Sequence, residues 1–189
     1  MGCRIVRGVQ DSQEYQEKGP TMTRVYVDMV GDLFHYGHVE FLRKVRALGD
    51  YLLVGIHSDD VLVPYKRRPI LTMEERIAVV ASCRYVDEVL PNAPLIIDRA
   101  WIEKHDIHLV VHGDDFPREE LEYYYRVPME MGLFRTVSYT HGISTSEIVR
   151  RILERQSRDE DAPSGASRPD VGCQADAIDG PACSLHGAD

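Results

Sequence analysis

Apolar and β-branched residues are concentrated in five short runs, at residues 24–29, 51–57, 86–90, 108–112 and 134–138. Each run has the length and composition of a β-strand. Between the runs, apolar residues recur every three or four positions, which predicts amphipathic helices. Strands that alternate with helices in this order predict an α/β fold built on a doubly wound parallel sheet.

Residues at the ends of the predicted helices support this pattern. Thr72 is followed three residues later by Glu75, and Ser144 by Glu147, so both pairs have the spacing of a capping box at a helix N-terminus. Gly49 follows the first predicted helix and suits a left-handed residue just past its end. Ligands of doubly wound sheets bind beyond the carboxyl ends of the strands. We therefore expect the functional residues in the loops after the first, second, fourth and fifth strands.

The composition divides the 189 residues into three segments: a polar leader at residues 1–23, one domain at residues 24–155 and a tail at residues 156–189. The tail is rich in Asp, Ser, Gly, Ala and Pro and has few large apolar residues. Such a segment buries too little surface to offset the entropy of ordering it, so we expect it to be disordered. The expected architecture is a single domain with disordered ends.

Charge and cysteine usage exclude several classes of protein. The formal net charge of −9 argues against a general nucleic-acid binder, which needs a basic surface. The four cysteines have no CxxC or zinc-ligand spacing, and no metal site built from protein ligands is predicted. The N-terminus has no apolar stretch of signal-peptide length, and no run approaches the roughly 20 apolar residues that span a bilayer. These features predict a cytoplasmic protein with free thiols and no membrane span.

The loop after the first strand contains two histidines, His35 and His38, with Gly37 between them. A phosphate bound there would meet free backbone N–H groups and the positive end of the dipole of the next helix. Histidines three residues apart can face the same side and donate hydrogen bonds to phosphate oxygens as charge develops in a transition state. The alternative is that they only cap the helix or bind adventitious metal. Their placement directly after the first strand favours the phosphate site.

Four segments together resemble a known family. Residues 35–38 are similar to the HxGH signature of the nucleotidyltransferase superfamily that includes cytidylyltransferases and pantetheine-phosphate adenylyltransferases. Residues 140–146 resemble the RTxGIST signature of the cytidylyltransferase branch. Residues 83–89 resemble the choline-phosphate and ethanolamine-phosphate enzymes, and residues 112–115 are nearer to the ethanolamine type. The resemblance extends over residues 24–153, in order and with compatible spacing.

This resemblance implies a Rossmann-like fold and a cytidylyltransferase domain at residues 24–155. It implies transfer of CMP from CTP to a small phosphorylated alcohol, such as ethanolamine phosphate, or to a related phosphonate, with release of pyrophosphate. It also implies Mg²⁺ on the phosphates, held by few protein ligands, and a homodimer. Two alternatives stay open: an adenylyltransferase of the same superfamily that uses ATP, and a catalytically inactive nucleotide-binding module.

The resemblance also assigns roles to individual residues. The catalytic residues would be His35, His38 and Lys66, with Lys66 bridging CTP and the incoming phosphate. The nucleotide would be bound by Val30, Gly31, Asp32, His38, Arg84, Thr140, Gly142, Ile143, Ser144 and Thr145. The acceptor substrate would be bound by Lys66, His112, Gly113, Asp114 and Asp115.

The chain departs from the family pattern at three places. Residues 29–32 read Met-Val-Gly-Asp where the family has G-x-F-D. Tyr139 replaces the arginine of RTxGIST, and Arg135 could supply the missing charge. Leu95 stands where choline-phosphate enzymes have a tryptophan, and leucine offers no aromatic face to a quaternary ammonium. We therefore expect phosphocholine to be a poor substrate and ethanolamine phosphate, or a small phosphonate analogue, to be preferred.

Overall fold

A computed structural model describes residues 22–62 and 68–160 of the chain. Its sheet has five strands, and all neighbouring pairs are parallel. The strands are β1 (Arg24–Met29), β2 (Tyr51–Ile56), β3 (Glu88–Pro91), β4 (Leu109–Gly113) and β5 (Phe134–Val137), in the spatial order β3-β2-β1-β4-β5. This order confirms the predicted doubly wound sheet, and each strand overlaps one of the five apolar runs.

Seven helices occur in the described part of the chain. They are α1 (Tyr36–Arg46), α2 (Asp59–Leu62), α3 (Met73–Ala81), α4 (Arg99–Lys104), α5 (Arg118–Tyr124), α6 (Arg126–Glu130) and α7 (Thr145–Glu160). None of the helices in residues 22–62 and 68–160 is both long and apolar enough to cross a membrane.

The chain divides into two compact units, Met1–Arg150 and Arg151–Asp189. The sheet and helices α1 to α6 belong to the first unit. Of the second unit, the structure describes residues 151–160, which form the later part of α7. The boundary predicted between residues 155 and 156 therefore falls inside a helix, and most of the predicted tail and leader lie outside the described residues.

The core consists of two clusters, one on each face of the sheet. Successive side chains of a strand point to opposite faces, so Val25 and Val27 enter one cluster and Tyr26 enters the other. The first cluster is closed by apolar residues of α1 and α3, such as Leu42 and Val80. The second is closed by residues of α4, α5 and the segments around them. Because both faces are covered, the strands are apolar along most of their length.

Local signals in the sequence explain several helix ends. The capping box of α3 is present: Thr72 accepts a hydrogen bond from the Glu75 backbone N–H at 3.3 Å, and the Glu75 carboxylate accepts one from the Thr72 N–H at 2.8 Å. At the start of α7 the Ser144 hydroxyl accepts from the Glu147 N–H at 3.1 Å. Both predicted helix starts are therefore confirmed.

The prediction for Gly49 is wrong. The C-cap residue of α1 is Ala47 in the right-handed region, and Gly49 is not among the residues with positive φ. A Cβ at Gly49 would lie 2.7 Å from the Thr23 carbonyl oxygen. The glycine is required because the chain passes close to the segment that leads into β1.

The strand order fixes where a ligand can bind. From β1 the chain proceeds outward to β2 and β3, then crosses back to β4 on the other side of β1. Loops leave the carboxyl ends of β1 and β4 in opposite directions and open a crevice between them. The crevice is bounded by the loop that contains His35 and by the loop after Gly113.

Candidate active site

His35 and His38 cap helix α1 reciprocally. The Nδ1 atom of His35 accepts a hydrogen bond from the Gly37 backbone N–H at 3.1 Å, and the Nδ1 atom of His38 accepts one from the His35 backbone N–H at 3.2 Å. A ring nitrogen that accepts cannot hold the proton of a neutral imidazole, so that proton is on Nε2 in both rings. Two Nε2–H donors are therefore held side by side, with ring centroids 4.0 Å apart.

Burial keeps both imidazoles neutral at physiological pH. Burial, together with the smaller effect of the neighbouring His35, lowers the pKa of His38 to about 4. Burial also lowers the pKa of His35. The Phe34 ring is stacked on His38 with centroids 5.3 Å apart, which contributes to this burial. The pair consequently acts as two neutral hydrogen-bond donors of fixed tautomer.

Gly37 is necessary for this arrangement. A Cβ at this position would lie 2.9 Å from the His35 Cε1 atom and 3.3 Å from a methyl group of Ile143. Any other residue would push the His35 ring away from its cap or separate α1 from the loop before α7.

The histidines lie on the wall of a cavity of about 660 Å³ at the carboxyl edge of the sheet. This volume is in the range of pockets that enclose small organic ligands. Most of the residues predicted to form the site line it: Val30, Asp32, His35, His38, His112, Gly113, Asp115, Thr140, Ile143, Ser144 and Thr145. Three of the four sequence motifs therefore contribute to one cavity, at the carboxyl edge where doubly wound sheets bind ligands.

Asp32 ties three segments around the cavity together. Its buried carboxylate accepts hydrogen bonds from the backbone N–H groups of Ile70 and Leu71, at 3.0 to 3.1 Å. Its backbone carbonyl accepts a hydrogen bond from the Thr145 hydroxyl at 3.0 Å. Asp32 thus connects the loop after β1 to the start of α7 and to the segment before α3.

Arg76 of α3, which the sequence did not single out, is completely buried beneath the loops. Its guanidinium donates to the carbonyl oxygens of Val30 at 2.7 Å and His57 at 2.9 Å, and to the Asp59 carboxylate at 2.5 Å. Val30 and His57 directly follow β1 and β2. One side chain therefore holds two of the loops that leave the carboxyl edge of the sheet.

Asp28, near the end of β1, is a second residue that the sequence reasoning missed. It is 6% exposed and lines the cavity. Its Oδ1 accepts a hydrogen bond from the Tyr125 hydroxyl at 2.5 Å, whereas Oδ2 has no partner in the described part of the chain. A buried carboxylate oxygen without a partner requires a donor or cation. A carboxylate inside an otherwise apolar strand was the available signal in the sequence.

Asp28 also lines a smaller recess of about 60 Å³ next to the main cavity, together with His57, Leu95, His112, Phe116, Tyr124 and Tyr125. His112 lines both spaces, and its Nδ1 donates to the Gly113 carbonyl oxygen at 2.9 Å. The His112 ring contacts the Phe116 and Tyr125 rings at centroid distances of 4.6 and 5.2 Å. The recess is therefore a small aromatic space with one carboxylate.

Several predicted site residues do not line the cavity. Asp114 accepts a hydrogen bond from the Tyr139 backbone N–H at 2.7 Å and so positions the loop after β5. Gly31 and Gly142 have φ values of 71° and 94°, which their loops require and other residues rarely adopt. Lys66 lies outside the described residues.

Arg84 is placed at the opposite edge of the sheet. It is exposed, and its guanidinium lies 5.4 Å from the centroid of the Tyr85 ring. Three residues later, the Asp87 backbone N–H donates to the carbonyl oxygen of Leu52, near the amino end of β2. A six-residue strand of about 20 Å separates that edge from the cavity. Arg84 therefore lies away from the cavity of its own chain, and its contact with a nucleotide stays a prediction.

A family model described as cytidylyltransferase-like matches residues 31–151. The match includes both histidines, the loop after β4 and the start of α7. The chain belongs to the cytidylyltransferase-like family. This membership confirms the resemblance inferred from the four sequence motifs.

Curated cytidylyltransferases are similar to this chain. The ethanolamine-phosphate cytidylyltransferase of Arabidopsis thaliana is 49% identical over 143 residues, 71% of this chain and 34% of the relative. The enzyme of the same name from Dictyostelium discoideum is 40% identical over 156 residues, 79% of this chain and 43% of the relative. The human choline-phosphate cytidylyltransferase A is 39% identical over 134 residues, 69% of this chain and 36% of the relative. The chain thus spans about a third to a half of the length of these relatives.

Two solved structures are similar in fold to this chain. A lipopolysaccharide core biosynthesis protein from Thermoplasma volcanium has a TM-score of 0.52 at 22% identity, covering 65% of this chain and 99% of that protein. A pantothenate synthetase from Thermus thermophilus also has a TM-score of 0.52, at 11% identity, covering 73% of this chain and 65% of that protein. At these identities the likeness concerns the fold alone.

We predict that Arg76→Met lowers the free energy of unfolding by about 3–5 kcal/mol, the usual effect of removing one partner from a buried charged network. The substitution leaves the carbonyls of Val30 and His57 without their donor. Arg99→Met is the matched control. Arg99 and its ion-pair partner Glu103 are both exposed, and an exposed ion pair contributes little to stability. Urea unfolding of both variants measures the difference, and equal losses would contradict the role of Arg76.

We also predict a pH dependence of stability that originates at His38. The lowered pKa means that the unfolded chain binds a proton below about pH 6.5 that the folded chain does not bind until about pH 4. The contribution of His38 to the free energy of unfolding is fully present above pH 6.5. It falls by up to roughly 3 kcal/mol as the pH decreases from 6.5 to 4.

His38→Asn tests this pH dependence, because an amide oxygen can still accept from the His35 N–H but does not titrate. The free energy of unfolding of the variant should fall less steeply than that of the wild type between pH 6.5 and 4. Parallel curves for the two proteins would exclude His38 as the source.

Proposed function

We propose that this chain transfers the cytidylyl group of CTP to a small phosphomonoester or phosphonate, preferably ethanolamine phosphate, and releases pyrophosphate. The observation that carries the proposal is the pair of neutral imidazoles, held as Nε2–H donors on the cavity wall at the start of α1. The names of the curated relatives, among which ethanolamine-phosphate cytidylyltransferases occur at 37–49% identity, support the choice of nucleotide and acceptor.

In the proposed reaction, an oxygen of the acceptor's phosphate attacks the α-phosphorus of CTP. The bond from that phosphorus to the bridging oxygen breaks, and pyrophosphate leaves on the opposite side. Negative charge develops on the remaining oxygens of the α-phosphate, where His35 and His38 donate hydrogen bonds. Since their tautomers are already fixed by the helix cap, the donors need no reorganisation. No covalent enzyme intermediate is required.

The phosphates of the nucleotide would be bound by the start of α1 and by Thr140, Ser144 and Thr145 at the start of α7. The positive end of the helix dipole at each of these helix starts favours anions. Lys66 is proposed, from the family resemblance, to bridge the nucleotide and the acceptor. Leu62 and Pro69, described residues on either side of Lys66, line the cavity.

Mg²⁺ remains part of the proposal as a charge-neutralising ion on the phosphates. No group of three or more side chains able to enclose a metal ion occurs among residues 22–62 and 68–160. The described cavity wall includes the carboxylate residues Asp28, Asp32 and Asp115, and Mg²⁺ is commonly held by one or two carboxylates, water and substrate phosphates. Asp115, which lines the cavity, could hold it.

The homodimer and the cytoplasmic location are likewise predictions from the sequence.

The acceptor's organic group would occupy the aromatic recess. The unpartnered Oδ2 of Asp28 would accept a hydrogen bond from a primary ammonium, which removes the cost of burying that oxygen alone. The recess has only about 60 Å³ of space, and Leu95 contributes an aliphatic wall. A small ammonium group suits this space better than a trimethylammonium.

The proposed function is tested by measuring pyrophosphate release with CTP or ATP against a panel of phosphomonoesters and phosphonates. We predict activity with CTP and a higher kcat/KM for ethanolamine phosphate than for phosphocholine. Activity with ATP in place of CTP would favour the adenylyltransferase alternative, and no release with any acceptor would favour a nucleotide-binding module without catalysis.

Asp28→Asn sharpens this test of the acceptor site. It should lower kcat/KM for ethanolamine phosphate by about 10- to 100-fold, the scale of one hydrogen bond to a charged group. The kcat/KM for 2-hydroxyethylphosphonate, which has an uncharged hydroxyl in place of the ammonium, should fall much less. Equal losses of kcat/KM with both acceptors would show that Asp28 does not recognise the ammonium.

For the catalytic role of His38, we predict that His38→Ala lowers kcat by roughly 100-fold or more while the KM for CTP changes less, because the donor acts mainly in the transition state. His108→Ala is the control, since His108 is exposed and does not line the cavity. A His38→Ala variant with near-normal kcat would remove His38 from the mechanism.

A further inference from the structure

The part of the cavity wall that the structure describes carries acidic groups and no lysine or arginine, and Lys66, proposed above as the bridging cation, lies outside the described residues. The acidic groups are the carboxylates of Asp28, Asp32 and Asp115. A nucleoside triphosphate carries several negative charges, which proteins neutralise with cations as well as with backbone donors. A cation just outside the wall would therefore contribute to binding.

Lys44, in the third turn of α1, lies directly behind this wall. Its ammonium donates hydrogen bonds to the Ser138 carbonyl oxygen at 2.6 Å, the Ser138 hydroxyl at 3.1 Å and the Thr140 hydroxyl at 3.5 Å. Ser138 and Thr140 flank Tyr139 in the loop between β5 and α7, and both Tyr139 and Thr140 line the cavity. The lysine thus connects the helix that begins at the catalytic histidines to the loop on the nucleotide side.

Lys44 is not bonded to a carboxylate in the described part of the chain, although the Glu40 carboxylate lies near enough to interact with its charge. In residues 22–62 and 68–160 it forms no ion pair, and Glu40, one turn earlier in α1, is engaged by Arg43 at 2.9 Å. A lysine that served only the solvated surface would gain little from such an ordered geometry, because ordering a long side chain is costly. Three oxygen partners in one loop indicate a specific role.

Arg135, the residue that the sequence suggested as a substitute for the arginine missing at Tyr139, is exposed on β5 and does not line the cavity. In the described structure it contacts neither Ser138 nor Thr140 through a hydrogen bond. The cation at this loop is instead supplied by a different element, the first helix.

We infer that Lys44 is a positioning residue for nucleotide binding. It fixes the 138–140 loop so that Tyr139 and Thr140 form the cavity wall, and it places a positive charge beside the phosphates. This inference rests on the proposed function, because it assumes that the anion in the cavity is CTP.

The test compares Lys44→Met and Lys44→Arg with the control Arg43→Met, which removes a charge from the adjacent position without touching the loop. Calorimetric titration with CTP should give a dissociation constant about five- to tenfold higher for Lys44→Met, and the KM for CTP should rise similarly while kcat stays within about twofold. Lys44→Arg should recover most of the affinity, and Arg43→Met should match the wild type. A Lys44→Met variant that binds CTP as tightly as the wild type would overturn the inference.

Hydrogen exchange without nucleotide separates this result from the proposed function itself. The amides of residues 138–142, including the Tyr139 N–H that donates to Asp114, should exchange several-fold faster in Lys44→Met than in Arg43→Met. If the wild-type protein binds no CTP, the proposed function fails, and faster exchange would still support the positioning role. Unchanged exchange in Lys44→Met would overturn that role whatever the nucleotide.

Discussion

The fully buried guanidinium of Arg76 is the interaction on which the site depends. A charged group without solvent is tolerated only when its surroundings are polar and fixed, and here two backbone carbonyls and one carboxylate provide them. Those carbonyls belong to the loops after β1 and β2. The requirement to satisfy one cation thereby sets the course of the chain that leads to the histidines. Asp32 connects the same loop to α7. The hydrogen bonds of these two buried charged side chains therefore give the cavity its shape.

The two histidines combine folding and chemistry in the same atoms. Each uses Nδ1 to satisfy a backbone N–H at the start of α1, a position where helices leave donors unpaired. Burial lowers the pKa of both rings, so neither becomes a cation at neutral pH. The hydrogen bonds that stabilise the helix therefore also determine which ring nitrogen faces the reaction with its proton. The proposed transition-state donors are prepared by the fold before any substrate binds.

Patterns that are local in sequence were sufficient for the sheet, the helix starts and the cavity, because apolar periodicity and capping act over a few residues. The residues that the sequence did not reveal act over long distances. Arg76 and Asp28 obtain their roles from loops and helices far away in the chain, and Arg84 lies at the amino edge of the sheet because it precedes β3. Gly49 was misjudged for the same reason: its neighbour is Thr23, which lies distant in sequence but close in space.

The reciprocal cap of α1 has a consequence for how this family changes over evolutionary time. Selection for a folded helix would favour an acceptor at positions 35 and 38 even in a descendant that no longer turned over substrate. Asn, Ser or Asp can accept the same backbone hydrogen bonds, but they do not present an imidazole N–H to a phosphate. The helix alone therefore does not require an imidazole at either position, and a descendant without catalysis would keep its fold with these capping residues.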